Sequence, residues 1–119
     1  IDEHLEIAQK YGKPLVLEEF GYPRDGFRFD KSATTQARDT YYQYIFSLIT
    51  DRTAQSAGLT GCNFWAWGGF AGQNPDHVFW EKGDDYTGDP AQEQQGLNSV
   101  FATDSTIEII KAENRKLQN

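Results

Sequence analysis

Three stretches of the chain repeat their apolar residues at helical spacing, and two short runs between them do not. Ile1, Leu5 and Ala8 recur at i, i+4 and i+7 with Ile7 and Tyr11 beside them, which predicts a helix over residues 2–11. Gly12 and Pro14 stop it, with Gly12 as the C-terminal cap. Leu15-Val16-Leu17 is a continuous apolar run of the kind found in parallel strands buried on both faces. A polar loop from Tyr22 to about Ala33 follows. A second helix is expected from about Thr34 to Gln55, with Tyr41, Tyr44 or Ile45, and Leu48 as its stripe, widened by Phe46 and Ile49 and closed by Gly58. Residues 60–67 read as a second strand. Alternation puts Cys62, Phe64 and Ala66 on one face and Asn63, Trp65 and Trp67 on the other. A long loop runs from Gly68-Gly69 to about Thr103. The last helix starts at Ser105, where Glu108 completes a capping box, and buries Ile107, Ile110 and Leu117.

Helix, strand, helix, strand, helix is the order of an α/β fold with parallel strands. Two strands alone leave both sheet edges open and one face of each strand without packing. A complete sheet therefore takes further strands from elsewhere, and the chain, which opens at Ile1 directly in a helical pattern, reads as the later part of something longer. Open edges also invite self-association.

Composition narrows the partners. Eight Phe, six Tyr and three Trp give the chain enough large rings for a modest core. Eleven basic and eighteen acidic side chains leave a formal charge of −7, which repels phosphate backbones and argues against nucleic acid. No apolar run is long enough for a membrane span. Cys62 has no cysteine to pair with and sits in an apolar stretch, as a small buried hydrophobe does.

Two features carry chemistry, and both lie at the C-terminal ends of the strands. In a (β/α)8 barrel that end builds the active site. The first is Leu17-Glu18-Glu19-Phe20-Gly21. Alternation lets only one of the two glutamates enter a barrel mouth, and parity alone does not choose which. The second is Asn63-Phe64-Trp65-Ala66-Trp67-Gly68-Gly69, where Trp65 and Trp67 are candidates for stacking on a pyranose ring. The loop between 70 and 103 holds Phe79, Trp80 and Tyr86, most of which are expected to pack it onto the scaffold. Its acidic residues, Asp76, Glu81, Asp84, Asp85, Asp89 and Glu93, lack EF-hand spacing, and no metal or other cofactor is expected.

Lys13-Pro14-Leu15-Val16-Leu17-Glu18-Glu19-Phe20-Gly21-Tyr22-Pro23-Arg24-Asp25 resembles the seventh-strand segment of family 5 glycoside hydrolases, specifically their endo-β-1,4-mannanases. Residues 63–69 resemble the eighth strand of the same enzymes, and residues 84–101 their final loop. The resemblance implies the C-terminal quarter of a TIM barrel, about strands seven and eight with flanking helices. It places the nucleophile at Glu19, the Glu directly before an aromatic-Gly pair, and the Trp flooring the scissile-sugar subsite at Trp65. Glu18 becomes a supporting residue, and Arg24 a candidate to assist the carboxylate or bind substrate. The implied chemistry is retaining hydrolysis of β-mannan, with the acid/base Glu on an absent fourth strand, so the chain by itself is expected to be inactive and to need the N-terminal part of the barrel. Polymeric mannan implies a secreted or cell-surface enzyme. The alternatives are a family 5 cellulase and a carbohydrate-binding module using Trp65, Trp67 and Trp80. The second would be a β-sandwich, against which three helical segments argue.

Overall fold

In the computed structural model, which describes residues 1–55 and 58–117, the alternating pattern becomes two parallel strands with helices banked on one side. Helix α1 spans Asp2–Lys10, strand β1 Leu15–Phe20, helix α2 Gln36–Ala54 and strand β2 Leu59–Phe64. Two further short strands, β3 (Trp67–Gly69) and β4 (Val100–Phe101), pair in parallel across the base of the long loop, and helix α3 covers Thr106–Leu117. Three helices and a parallel pair overturn the β-sandwich alternative. Among the described residues, no helix is long and apolar enough to cross a membrane.

Local chemistry explains the boundaries. Gly12, with φ +59°, closes α1 in the left-handed region, donating its N–H to Gln9 O at 3.0 Å. Helix α2 begins two residues later than expected, where the Asp25 carboxylate accepts Gln36 N at 2.8 Å and Ala37 N at 2.9 Å. The Thr34 hydroxyl and those backbone bonds hold Asp25 below the usual carboxylate range, and its charge meets the positive end of the helix dipole. The capping box expected for α3 does not form. Ser105 Oγ donates to Asp39 instead, and the Glu108 carboxylate takes Lys111 Nζ at 2.8 Å.

The core lies between the sheet and α1, α2 and α3. Leu5, Phe20, Tyr42, Ile45, Phe46, Ile49, Leu59 and Val100 form it, with Leu15, Leu17, Cys62, Phe64, Ile107 and Ile110 packed against it. Burial in this apolar layer raises the Cys62 thiol pKa. In α2 the predicted Ile45, Phe46 and Ile49 are buried, but Tyr42, which the stripe left out, is fully buried too, and Tyr44 is 62% exposed. Leu117 is also exposed, and the buried positions of α3 are Thr106 and Glu113. Glu113 accepts Gln43 Nε2 at 2.6 Å and Lys116 Nζ at 2.7 Å, which makes its place in the α2–α3 contact tolerable. β1 is buried on one face only. Leu15 and Leu17 meet the helices, whereas Val16 is 44% exposed on the side without packing.

The register of β1 against β2 carries two irregularities. Leu17 pairs with Cys62 and Phe20 with Phe64, so three steps on β1 face two on β2. The extra residue is a bulge at Glu18-Glu19.

Candidate active site

The bulge interrupts strict alternation at the end of β1, between Leu17 and Phe20. Glu19 lies at φ +55°, a left-handed conformation uncommon for a side chain of its size. Its side chain lines an open recess of about 410 Å³ together with Gly21, Trp65, Glu93 and Asn98. Glu18 is exposed beside it and is not part of that lining.

Trp65, which shares that lining, is held through its backbone. Trp65 N donates to Phe20 O at 2.7 Å, joining the two strand ends. On the other side Trp65 O accepts the buried Tyr42 hydroxyl at 3.3 Å. Burial raises the Tyr42 phenol well above its ordinary value, so it stays a protonated donor. Gly21 is required by the closeness of this approach, because a Cβ there would stand 2.5 Å from Trp65 O.

Trp67 is not beside Trp65. β2 ends at Phe64 and the chain re-pairs as β3, so the alternation that put both indoles on one face does not continue. Trp67 is 54% exposed, stacked over Gly69, and lies outside the recess lining.

Arg24 lies outside the recess lining as well. It is 1% exposed, with Nη2 on Asp104 Oδ2 at 2.7 Å, Nη1 on Ala33 O at 3.0 Å, Nε on Gly96 O at 3.2 Å, and its plane 5.3 Å from the Phe101 ring centre. These partners come from three separate segments, and Arg24 ties them together.

No apolar period points to Arg38, its buried companion. Arg38 Nε donates to Tyr22 O at 2.7 Å, Nη1 to Ser99 O at 2.8 Å and Nη2 to Leu97 O at 2.8 Å, with Asp104 Oδ2 at 3.5 Å. Burial and the neighbouring Arg24 lower its pKa, but a guanidinium stays charged in proteins. Carbonyl oxygens and one shared carboxylate thus hold two buried cations.

Asn98 and Glu93 entered the lining unannounced as well. The fully buried Asp89 accepts Gly96 N at 2.8 Å, Asn98 N at 3.2 Å and the Ser99 hydroxyl. Gln95 Nε2 donates to the carbonyls of Asp89, Pro90 and Glu93, and its Oε1 accepts Thr87 Oγ1 at 2.9 Å. The Asp at position 89, beside Gly88 and Pro90, was the available clue, since Asp side chains build turns by bonding nearby backbone N–H groups.

The outer loop is held by polar bonds, one of them from Trp80 Nε1 to Asp84 O at 3.1 Å. Phe79, Trp80 and Tyr86 remain exposed, contrary to the expected packing. His77 Nδ1 meets Asp84 Oδ2 at 2.8 Å, Asn74 Nδ2 donates to Asp84 Oδ1 at 2.9 Å, and Glu81 N donates to Asp84 Oδ2 at 2.9 Å. Asp84 raises the His77 pKa, and the bonds from Asn74, Glu81 and His77 lower that of Asp84. Among the described residues, no three His, Cys, Asp or Glu side chains converge as a metal site.

Comparison with known proteins agrees with this geometry. The family model described as GH family 5 beta-mannosidase-like matches residues 1–119. A glutamate-to-alanine variant of the glycoside hydrolase family 5 mannosidase from Rhizomucor miehei superposes with a TM-score of 0.85 at 32% identity, covering 98% of this chain and 30% of that one. A second variant of that mannosidase, in complex with mannosyl-fructose, gives 0.85 at 33%, covering 98% of this chain and 29% of that one. The endo-beta-1,4-mannanase from Thermotoga petrophila gives 0.56 at 26%, covering 96% of this chain and 20% of that one. No curated protein sequence gave a significant match. The chain spans about 30% of the length of the mannosidases it matches, and its α/β architecture corresponds to part of their catalytic fold. On the family model and these identities together, the chain belongs to glycoside hydrolase family 5.

Proposed function

We propose that this chain is the C-terminal quarter of a family 5 (β/α)8 barrel and supplies the nucleophile, Glu19, for retaining hydrolysis of β-mannosides. The observation that carries the reading is the recess lined by both the bulged Glu19, at the C-terminal end of β1, and Trp65, which directly follows β2. Glu19 attacks the anomeric carbon while an acid protonates the leaving oxygen. The glycosyl-enzyme is then hydrolysed by water, with the acid acting as base. That acid/base is assigned to a strand outside this chain. Glu93 shares the recess but sits on the final loop, and its carboxylate is assigned to sugar hydroxyls.

The mannosidase-like family model and the TM-scores of 0.85 against 0.56 support a β-mannosidase acting at chain ends or on short mannosides. The endo-β-1,4-mannanase is the second reading, favoured by the Thermotoga petrophila match. Secretion or surface display belongs to that second reading, because a polymer is met outside the cell.

The test assays this chain alone and joined to the remainder of its barrel. Activity on β-mannosides is expected only in the combination and is lost in Glu19→Gln. A Glu19→Gln barrel that still turns over at the wild-type rate sinks the assignment. Product length on mannohexaose separates the two readings, since an exo enzyme releases mannose and an endo enzyme releases oligomers.

A further inference from the structure

The segment from Gly96 to Val100 is fixed from every side, yet one polar side chain in it is left unused. Leu97 O accepts both Arg24 N at 3.0 Å and Arg38 Nη2 at 2.8 Å. Ser99 O accepts Arg38 Nη1, Val100 N donates to Ala66 O at 2.8 Å, and Ala66 N donates to Asn98 O at 3.4 Å. From below, Asp89 holds the N–H groups of Gly96 and Asn98 and the Ser99 hydroxyl. Gly96 makes this fit possible, since at φ +98° a Cβ would stand 2.5 Å from Phe29 O. The Asn98 side chain makes no hydrogen bond to protein among the described residues, and it is half-buried in the recess that holds Glu19 and Trp65.

An amide with two donors and an acceptor, on a backbone that cannot drift, is suited to one task in a sugar cleft. It can accept from one ring hydroxyl and donate to the same or the next, which a carboxylate cannot do. Pre-setting its backbone removes the ordering cost that a mobile loop would bring to binding. We propose that Asn98 is a specificity-determining residue that hydrogen-bonds a ring hydroxyl of the sugar bound beside Glu19, and that the buried Asp89 is its positioning residue. The proposal rests on the β-mannoside reading above and adds to it the group that reads the sugar's hydroxyl pattern.

The test uses the complete barrel and aryl β-mannosides that each lack one ring hydroxyl. Asn98→Ala is expected to lower kcat/KM for the full mannoside by about 10- to 100-fold, while leaving the analogue without the contacted hydroxyl within about 3-fold of wild type. An Asn98→Ala barrel that discriminates among the analogues as wild type does overturns the contact. Asp89→Asn is expected to flatten the same discrimination. Where that variant does not accumulate as folded protein, Ser99→Ala, which removes one of the three Asp89 bonds, is expected to move it in the same direction. Unchanged discrimination in the Asp89 or Ser99 variant that folds overturns the positioning role. Failure of the unsubstituted barrel to cleave any mannoside, or survival of activity in Glu19→Gln, instead removes the β-mannoside reading itself.

Discussion

Replacing Gly21 by alanine adds one methyl group where the two strand ends come closest. The new Cβ would lie 2.5 Å from Trp65 O and 3.4 Å from its carbonyl carbon. Cβ contacts essentially never fall below 3.0 Å, and ordinary contact starts near 3.4 Å, so the strands must part by about 0.5 to 0.9 Å. The bond from Trp65 N to Phe20 O, 2.7 Å long, lies beside the clash, and the Tyr42 hydroxyl bond at 3.3 Å is already long. Overpacking costs about 1–3 kcal/mol and a weakened hydrogen bond about 1 kcal/mol, which together predict a loss of about 2–4 kcal/mol. The same shift carries the Trp65 wall away from Glu19, and a displacement near 1 Å at a reacting centre costs about 100-fold in rate. The assay pairs urea unfolding with kcat/KM on an aryl β-mannoside in the complete barrel. Gly12→Ala serves as the control: its φ of +59° brings left-handed strain of about 1–2 kcal/mol, but the space around it is open and it lies outside the recess lining. A folded Gly21→Ala barrel with wild-type kcat/KM would show that this close approach does not set the geometry of the site.

Arg24→Met is expected to destabilise the protein by about 3–5 kcal/mol, because Asp104 loses its closest partner and Gly96 O a donor. Unchanged stability with a raised KM in that variant would return Arg24 to a substrate-binding role. Glu19→Gln in the complete barrel should reduce kcat by about 10³-fold or more without changing the free energy of urea unfolding by more than about 0.5 kcal/mol, since the side chain is exposed. The turn from Asn74 to Asp84 should loosen at both ends of the pH scale. His77, with a raised pKa, contributes fully below about 6.5 and is lost as pH rises through the raised value; Asp84, with a lowered pKa, contributes above about 3.8 and is lost as pH falls through the lowered value. Hydrogen exchange at Glu81 N, corrected for its intrinsic rate, should therefore be slowest between about pH 4 and 6.5, and a flat profile between pH 5 and 9 would contradict this.

Much of the fold could be read in advance, and the limits have physical causes. Apolar runs and periodic stripes marked β1, α2, β2 and α3 because burial on one side writes a period into a sequence. The same rule assumes that charged groups face water, so it missed Arg38, Asp89 and Glu113. Arg38 is satisfied by carbonyls 16 to 61 positions away, a compensation that no local pattern records. Alternation also presumes an unbroken ladder. It failed at the Glu18-Glu19 bulge and again after Phe64, where Trp65 and Trp67 part company. Glu19 and Trp65 were reached through motif resemblance, and the recess brings those two together. Arg24 looked like a free loop cation, because a buried arginine and a substrate-binding one are spelled alike.

Tyr42 and Arg38 stand four positions apart on α2, and so on one face of that helix. One of them grips the strand-end carbonyl at Trp65, the other the carbonyls at Leu97 and Ser99. Both walls of the cleft are therefore hung from a single rod, and a small rotation or slide of α2 would move them in step, changing the tilt of the cleft more than its width. A library that varies only the outward face of α2, at positions such as Thr40 and Tyr44, would explore that tilt while leaving every residue lining the recess untouched.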